Sequence, residues 1–204
     1  MTIAVKILAA VLAVAVAGCA GFMLGHQGRG DAYQQRRLGM IRMIVNQAGP
    51  GQMLLVGDSI VEMQPLPPLC GLTAINAGIA GARSTDLIGF ATTAIAVARP
   101  SRMVFAVGVN DLVQGTDLAA WTARTTELVG LWPGKPVIVG ITSVKGEDDA
   151  VAQRMNAILH RLATARGGVF VTGLTLQETF DGVHPSLAGT KAWQARITTA
   201  CGGA

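Results

Sequence analysis

Short apolar runs alternate along the chain with longer segments in which apolar and polar residues recur at helical spacing. The apolar runs are mostly continuous, which is typical of strands in a parallel sheet whose two faces are both covered. They predict five strands, at Leu54–Val56, Thr73–Asn76, Met103–Val107, Val137–Thr142 and Val169–Val171.

Amphipathic helices are predicted before, between and after these strands. The first runs from Tyr33 to Gln47, because Leu38, Ile41 and Val45 recur on one helical face. The second is capped by Ser84 or Thr85 and runs to about Ala98. Three more are predicted at about Leu118–Leu131, Asp148–Ala165 and Ser186–Ala200. This alternation predicts an α/β fold, a three-layer α/β/α sandwich around a flavodoxin-like parallel sheet of five strands.

The N-terminal segment differs from the rest because it carries no charge from Ile7 to Leu24. With Lys6 before it, this stretch predicts that residues 1–25 are a signal sequence or a short membrane anchor. Val16-Ala17-Gly18-Cys19 resembles a bacterial lipobox, in which Cys19 is the lipidated residue. Residues 26–32 are then a polar linker, residues 26–50 hold this linker and the first helix, and residues 51–204 form the folded domain.

Composition narrows the class of protein. The chain has 204 residues, of which 50% are apolar and 14% charged, so it has enough apolar residues for one folded domain and is not disordered. Its formal charge of +4 is spread along the sequence without a dense basic block, which argues against a nucleic-acid partner.

The N-terminal segment and the cysteines predict the cellular compartment of the protein. Arginines soon after the apolar stretch, from Arg29 to Arg42, would by the positive-inside rule leave an anchored domain in the cytoplasm. We nevertheless favour a membrane-attached protein of the cell envelope with a periplasmic domain. If Cys19 carries lipid, Cys70 and Cys201 make an even count, which suits an oxidising compartment. They either form a disulfide or remain two unpaired thiols.

Four polar clusters follow predicted strands. They are Gly57-Asp58-Ser59, Asn76-Ala77-Gly78, Gly108-Val109-Asn110-Asp111 and Asp181-Gly182-Val183-His184-Pro185. Open α/β sheets bind their ligands at the carboxyl ends of the strands, so these clusters are expected to meet at one site.

In this order the clusters resemble the four sequence blocks of the SGNH (GDSL-type) hydrolase superfamily. The resemblance covers about Met53 to Trp193. Within the superfamily, the chain is most like the small carbohydrate esterases and acetylhydrolases. This closer likeness rests on two segments, Asn-Ala-Gly-Ile-Ala-Gly from Asn76 and His-Pro-Ser-Leu-Ala-Gly from His184. It implies that Ser59 is the nucleophile and that the backbone N–H groups of Ser59 and Gly78 form the oxyanion hole together with the Asn110 amide.

The chemistry requires the same roles. A serine hydroxyl is a poor nucleophile without a base, and His184 is suited because imidazole titrates near neutral pH. Asp181, three residues earlier, would hold the ring in the right tautomer. No Cys/His cluster has metal-ligand spacing and no phosphate-binding loop is present, so no cofactor is expected.

Each of these residues also has a structural interpretation. Ser59 is also suited to capping a helix, His184 to entering one, and Asn110 to capping a turn. Asp58 is expected to be a structural hydrogen-bonding group rather than a second catalytic acid. Arg83 follows the predicted oxyanion loop and either contacts the substrate or is a solvated loop residue. His26 and His160 are expected to be incidental.

The function predicted from these observations is that of a serine esterase acting on short acyl groups, above all O-acetyl groups on a carbohydrate or envelope polysaccharide. One alternative is a lysophospholipase or thioesterase that takes longer acyl chains. Another is an acyltransferase or a non-hydrolytic subunit of a polysaccharide-export assembly.

Overall fold

A computed structural model describes residues 30–202. They fall into two units, a short one that ends at Arg37 and a larger one that begins at Leu38. The predictions for residues 1–25, including the lipobox at Cys19, lie outside the described residues. Within residues 30–202, no helix combines the length and apolar character needed to cross a membrane.

Five parallel strands form one sheet in the order β2-β1-β3-β4-β5. This is the predicted flavodoxin-like order, and the α/β prediction is confirmed. All five residues of β1 are buried, because this strand lies between β2 and β3 and is covered on both faces, which explains its continuous apolar run. The strands are β1 (Met53–Gly57), β2 (Ala74–Gly78), β3 (Arg102–Ala106), β4 (Val137–Val139) and β5 (Val169–Val171).

Helices precede, connect and follow the strands along the chain. The first, α1, covers residues 30–48, and the others are α2 (Ser59–Glu62), α3 (Ser84–Ala98), α4 (Val109–Val113), α5 (Leu118–Gly130), α6 (Asp149–Ala165) and α7 (Leu187–Cys201). The linker predicted at residues 26–32 is wrong for residues 30–32, which are helical. A glycine in a helix costs only about 1 kcal/mol, which a helix continuing to residue 48 can sustain.

Two strand ends differ from prediction by more than one residue. β2 continues through Ala77 and Gly78, which pair with Val56 and Gly57 of β1. β4 ends before Ile141, whose N–H donates to the side chain of Asn156 instead of to a neighbouring strand. The predicted limit on the helix after Ser59 is confirmed, because α2 ends at Glu62, before the prolines.

The order of the strands places a crevice above the sheet between β1 and β3. From β1 the chain crosses to one side of the sheet, and from β3 it crosses to the other, and ligand sites of open α/β sheets form at this switch point. Ser59 follows β1 and Asn110 follows β3, so both lie at the carboxyl ends of these two adjacent strands.

A disulfide joins Cys70, in the loop before β2, to Cys201, the last residue of α7. The two Cα atoms are 5.9 Å apart, within the usual range for a disulfide. Of the two alternatives that the sequence left open, the structure has the disulfide.

Candidate active site

Ser59 is the first residue of α2, directly beyond the buried strand β1. The cap of this helix is Asp58, whose Oδ1 accepts the Ile60 N–H at 2.9 Å. The interpretation of Ser59 as the cap is therefore wrong, and the structural role expected for Asp58 is confirmed. The Ser59 hydroxyl instead lies 3.0 Å from Nε2 of His184.

The segment that carries His184 is a tight turn between β5 and α7. The Phe180 N–H donates to the His184 carbonyl at 2.9 Å, and the Ser186 N–H donates to the Glu178 carbonyl at 2.8 Å. Ser186, not His184, caps α7 by accepting the Gly189 N–H. These bonds fix the turn and leave the imidazole to face Ser59.

Asp181 contacts His184 through both carboxylate oxygens. Its Oδ2 lies 2.7 Å from the ring Nδ1, and its Oδ1 accepts the backbone N–H of His184 at 2.7 Å and of Val183 at 2.9 Å. The hydrogen bond from the imidazole, followed by that from the backbone, lowers the pKa of Asp181 to about 2. An ionised carboxylate only accepts, so Nδ1 must donate, and Nε2 of a neutral ring is left to accept the Ser59 proton.

The other predicted oxyanion donors are Gly78, the last residue of β2, and Asn110, the second residue of α4 beyond β3. The Asn110 amide donates to the Ala82 carbonyl at 3.0 Å, which fixes the orientation of its side chain. The Gly78 N–H donates to Oδ1 of Asn76 at 3.0 Å, so this predicted donor is already engaged within the chain.

Gly78 is also required for packing. A Cβ at this position would collide with the backbone of Glu62 and the carbonyl of Asp58. Substrate approach was the sequence-based reason for glycine here, whereas the structure shows that the close contact with α2 already requires one.

Arg83 is the N-cap residue of α3, the position that sequence assigned to Ser84 or Thr85. Its backbone N–H donates to Oδ2 of Asp86 at 3.0 Å, and its Nε lies 3.4 Å from the same oxygen. The side chain is half-exposed and lines a cavity of about 200 Å³ with Trp121 and Arg124 among others. Its predicted contact with substrate stays a prediction.

A buried network beside Asn110 was not anticipated from sequence. Asp111 accepts both the N–H of Ser84, at 2.9 Å, and its hydroxyl, at 3.0 Å, and Thr125 donates to that hydroxyl. All three residues are buried, and burial raises the pKa of Asp111. The network ties α4, and with it Asn110, to the start of α3. The sequence feature that could have indicated this network is the acid Asp111, which directly follows Asn110 after a predicted strand.

Asp58 is the second feature that the sequence did not reveal. Its side chain is 1% exposed, and Oδ2 has no hydrogen-bond partner among the described residues. Burial raises the pKa of this carboxyl to about 7. A buried titratable group therefore lies directly before Ser59.

Other sites suggested by residue type are not formed in the described part of the chain. His160 lies on α6, where its ring makes an edge contact with Phe170, and His26 lies outside the described residues. Among residues 30–202, no group of three or more histidine, cysteine, aspartate and glutamate side chains could hold a metal ion.

Solved structures with the same fold include esterases and lipases. A "putative platelet activating factor" from Streptococcus pneumonia is 21% identical over 93% of this chain and 99% of its own, with a TM-score of 0.71. A GDSL-like lipase from Bacteroides thetaiotaomicron is 19% identical over 82% and 98%, with a TM-score of 0.64. An acetylxylan esterase from Geobacillus stearothermophilus is 19% identical over 76% and 96%, with a TM-score of 0.60.

No curated protein sequence matches the chain. The family model of the GDSL-like lipase/acylhydrolases matches residues 55–192, which is more than half of the chain and includes Ser59, Asn110, Asp181 and His184. The chain therefore belongs to the GDSL-like lipase/acylhydrolase family and is a serine hydrolase that acts on ester bonds.

Proposed function

We propose that the chain hydrolyses short acyl esters, above all O-acetyl groups, on a carbohydrate or a cell-envelope polysaccharide, with Ser59, His184 and Asp181 as its catalytic triad. The observation that carries the proposal is the unbroken line of hydrogen bonds from Asp181 through His184 to the Ser59 hydroxyl, at 2.7 and 3.0 Å. An acetylxylan esterase shares the fold, which agrees with the proposed class of substrate.

In the proposed mechanism, His184 takes the proton of Ser59 as its oxygen attacks the ester carbonyl. Asp181, whose pKa is about 2, remains ionised and stabilises the imidazolium that forms. His184 then gives that proton to the departing alcohol. A water molecule, deprotonated by the same ring, hydrolyses the acyl-enzyme and restores the Ser59 hydroxyl.

The negative charge that develops on the carbonyl oxygen needs donors fixed in advance. The Ser59 N–H at the start of α2 and the Asn110 amide, oriented by its bond to the Ala82 carbonyl, are proposed for this role. The Gly78 N–H contributes only if it is shared with or released by Asn76.

The size of the loops supports a short acyl group on a bulky carrier. After β1, β2 and β3 the chain enters α2, α3 and α4 within a few residues, so these segments are too short to form a large lid. An open site suits a polymer-bound ester better than a long free acyl chain. The rivals, hydrolysis of longer acyl chains and acyl transfer to a sugar, use the same acyl-enzyme.

Labelling with a fluorophosphonate probe tests the catalytic assignment, with wild type beside Ser59→Ala. We expect one adduct on the wild-type protein and none on the variant, and an unlabelled wild type would contradict the assignment. A series of p-nitrophenyl esters then tests acyl length. Faster turnover of long chains than of acetate would favour the lipase alternative, and a sugar ester formed in place of free acid would favour transfer.

We also propose that the domain works in an oxidising compartment, attached to the membrane through its N-terminus. The disulfide between Cys70 and Cys201 supports this location, because structural disulfides are rare in reducing compartments. Fractionation of cells that produce the full chain, with Cys19→Ser as the comparison, tests the lipid anchor. Wild type is expected in the membrane fraction with a covalent fatty acid and the variant without one, and a cytoplasmic wild-type protein would contradict the proposal.

A further inference from the structure

An open cavity of about 490 Å³ adjoins the acid of the triad. Asp181 is part of its wall. The other lining residues are Lys145, Leu176, Thr179, Phe180 and Gly182, which come from the segment after β4 and from the turn that carries His184. The cavity therefore adjoins the turn that carries His184.

Phe180 is the largest apolar group of this wall. The residue is 64% exposed, and its ring lies 6.2 Å from the His184 ring, centroid to centroid, with an angle of 28° between the two planes. The Phe180 N–H also donates to the His184 carbonyl, so the backbone holds the two residues in one turn. An aromatic face left open this close to a catalytic base suits contact with a ligand.

The chemistry of the reaction decides which half of the ester lies here. His184 must give its proton to the leaving oxygen, so that oxygen lies within hydrogen-bond distance of Nε2. The carbonyl oxygen points the other way, towards the Ser59 N–H and Asn110. The alcohol half of the ester therefore extends past Nε2 of His184, whose ring lies 6.2 Å from the phenyl ring of Phe180.

Lys145 adds a cation to the same wall. Its backbone N–H donates to the Gly182 carbonyl at 3.0 Å, and its side chain is exposed. No carboxylate of residues 30–202 forms an ion pair with its ammonium group. A flat apolar face beside such a donor matches a sugar, whose ring presents C–H groups on one face and oxygen acceptors at its edge.

We propose that Phe180 and Lys145 form the subsite for the leaving alcohol, and that this subsite holds the sugar ring that bears the acyl group. The ring lies against Phe180, and a hydroxyl or carboxylate at its edge accepts a hydrogen bond from Lys145. The inference rests on the proposed esterase function and names the half of the substrate that this wall recognises. The glycerophosphate half of a lysolipid would satisfy Lys145 but would leave the phenyl face of Phe180 uncovered.

Two acetate esters with different alcohols test the subsite. Wild type and variants are compared by kcat/KM on methyl acetate and on the best substrate of a panel of acetylated mono- and oligosaccharides. For Phe180→Ala the loss on the sugar acetate should exceed the loss on methyl acetate on the order of tenfold, mainly through KM. Phe180→Trp should keep the preference for the sugar, whereas Phe180→Leu should lose most of it. Lys145→Met should raise KM for the sugar acetate more than for methyl acetate.

Leu187→Ala is the matched control, because Leu187 is 86% exposed but does not line the cavity, and this variant should leave the preference unchanged. If Phe180→Ala lowers kcat/KM equally on both esters, and does so through kcat, the subsite is overturned. Phe180 would then be a positioning residue for His184. A larger loss on a lysophospholipid than on the sugar acetate would overturn it in favour of a lipid. A wild-type protein that prefers no sugar acetate to methyl acetate also contradicts it, whereas a protein without the fluorophosphonate adduct fails as an esterase altogether.

Discussion

Asp181 holds His184 at two points, through the ring Nδ1 at 2.7 Å and through the backbone N–H at 2.7 Å. The residues are three apart in one turn, so the acid orients the imidazole and also shapes the loop that carries it. Removal of the charge therefore affects the tautomer, whereas removal of the whole side chain affects the loop as well.

Asp181→Asn should lower kcat by about 10³–10⁴, because an amide can present N–H to Nδ1 and stabilise the wrong tautomer. The test is the rate on p-nitrophenyl acetate, with the circular dichroism spectrum as the control for folding. A folded variant that keeps kcat within tenfold of wild type would refute the assigned role. Since the pKa of Asp181 is about 2, no loss of wild-type activity above about pH 3 should be traceable to its protonation.

Asn110→Ala should retain the nucleophile and lose stabilisation of the oxyanion. The expected loss is about 10²–10³ in kcat, the usual effect of one oxyanion donor, with the fluorophosphonate adduct still formed. Ser59→Ala is the comparison, because it should form no adduct. An Asn110→Ala variant with wild-type kcat would show that its bond to the Ala82 carbonyl is its whole role.

Asp111→Ala tests the buried network separately from the donor beside it. The substitution leaves the Ser84 N–H without its acceptor, which should cost about 1–3 kcal/mol in the free energy of unfolding. Chemical denaturation measures this cost, and Asp149→Ala, which removes an exposed acid of α6, is the control. Equal stability of both variants would contradict the structural role of Asp111.

The sequence was sufficient for the fold because its strands are short, apolar and separated by amphipathic helices. β5 was predicted with its observed bounds, Val169–Val171, since glycines mark its start. Ends set by contacts remote in sequence were missed. β4 ends where the Asn156 side chain takes the Ile141 N–H, and no local pattern announces that partner.

The site was predictable to the extent that its roles depend on residue type. Ser59, Asp181 and His184 were named from chemistry and from motif order, and the structure brings their side chains together. The engagement of the Gly78 N–H by Asn76 was not predictable, because it depends on a side-chain rotamer within β2. The exposure of Phe180 beside the His184 ring likewise requires coordinates.

Removal of the disulfide should destabilise the fold. In the chain-entropy model a bridge between residues 131 apart contributes up to about 4–5 kcal/mol, so Cys201→Ser should lower Tm markedly. Reduction of the wild-type protein should lower Tm by a similar amount and should leave the variant unaffected. Two titratable thiols in the native, non-reduced domain, measured with Cys19 replaced by serine, would contradict the bridge.

Asp58 gives the protein a stability that depends on pH. The side chain is fully buried, one of its oxygens has no partner among the described residues, and its pKa rises from 3.8 to about 7 chiefly because burial disfavours the charged form. In the unfolded chain the group ionises near its ordinary value. Between these two values the folded protein binds a proton that the unfolded chain has released.

Asp58→Asn should therefore remove the part of the pH dependence of the free energy of unfolding that comes from this carboxyl. In wild type, the contribution of Asp58 to the free energy of unfolding is constant below about pH 4. It falls as the pH rises from about 4 to about 7 and is constant again above that. The fall amounts to at most about 4 kcal/mol, from 1.36 kcal/mol per pH unit. An asparagine keeps an oxygen for the Ile60 N–H and does not ionise. The stability of the variant relative to wild type should therefore increase as the pH rises from about 4 to about 7. Denaturant unfolding from pH 4 to 8 measures the difference; a constant difference between the two proteins would mean that Asp58 is charged in the folded state throughout.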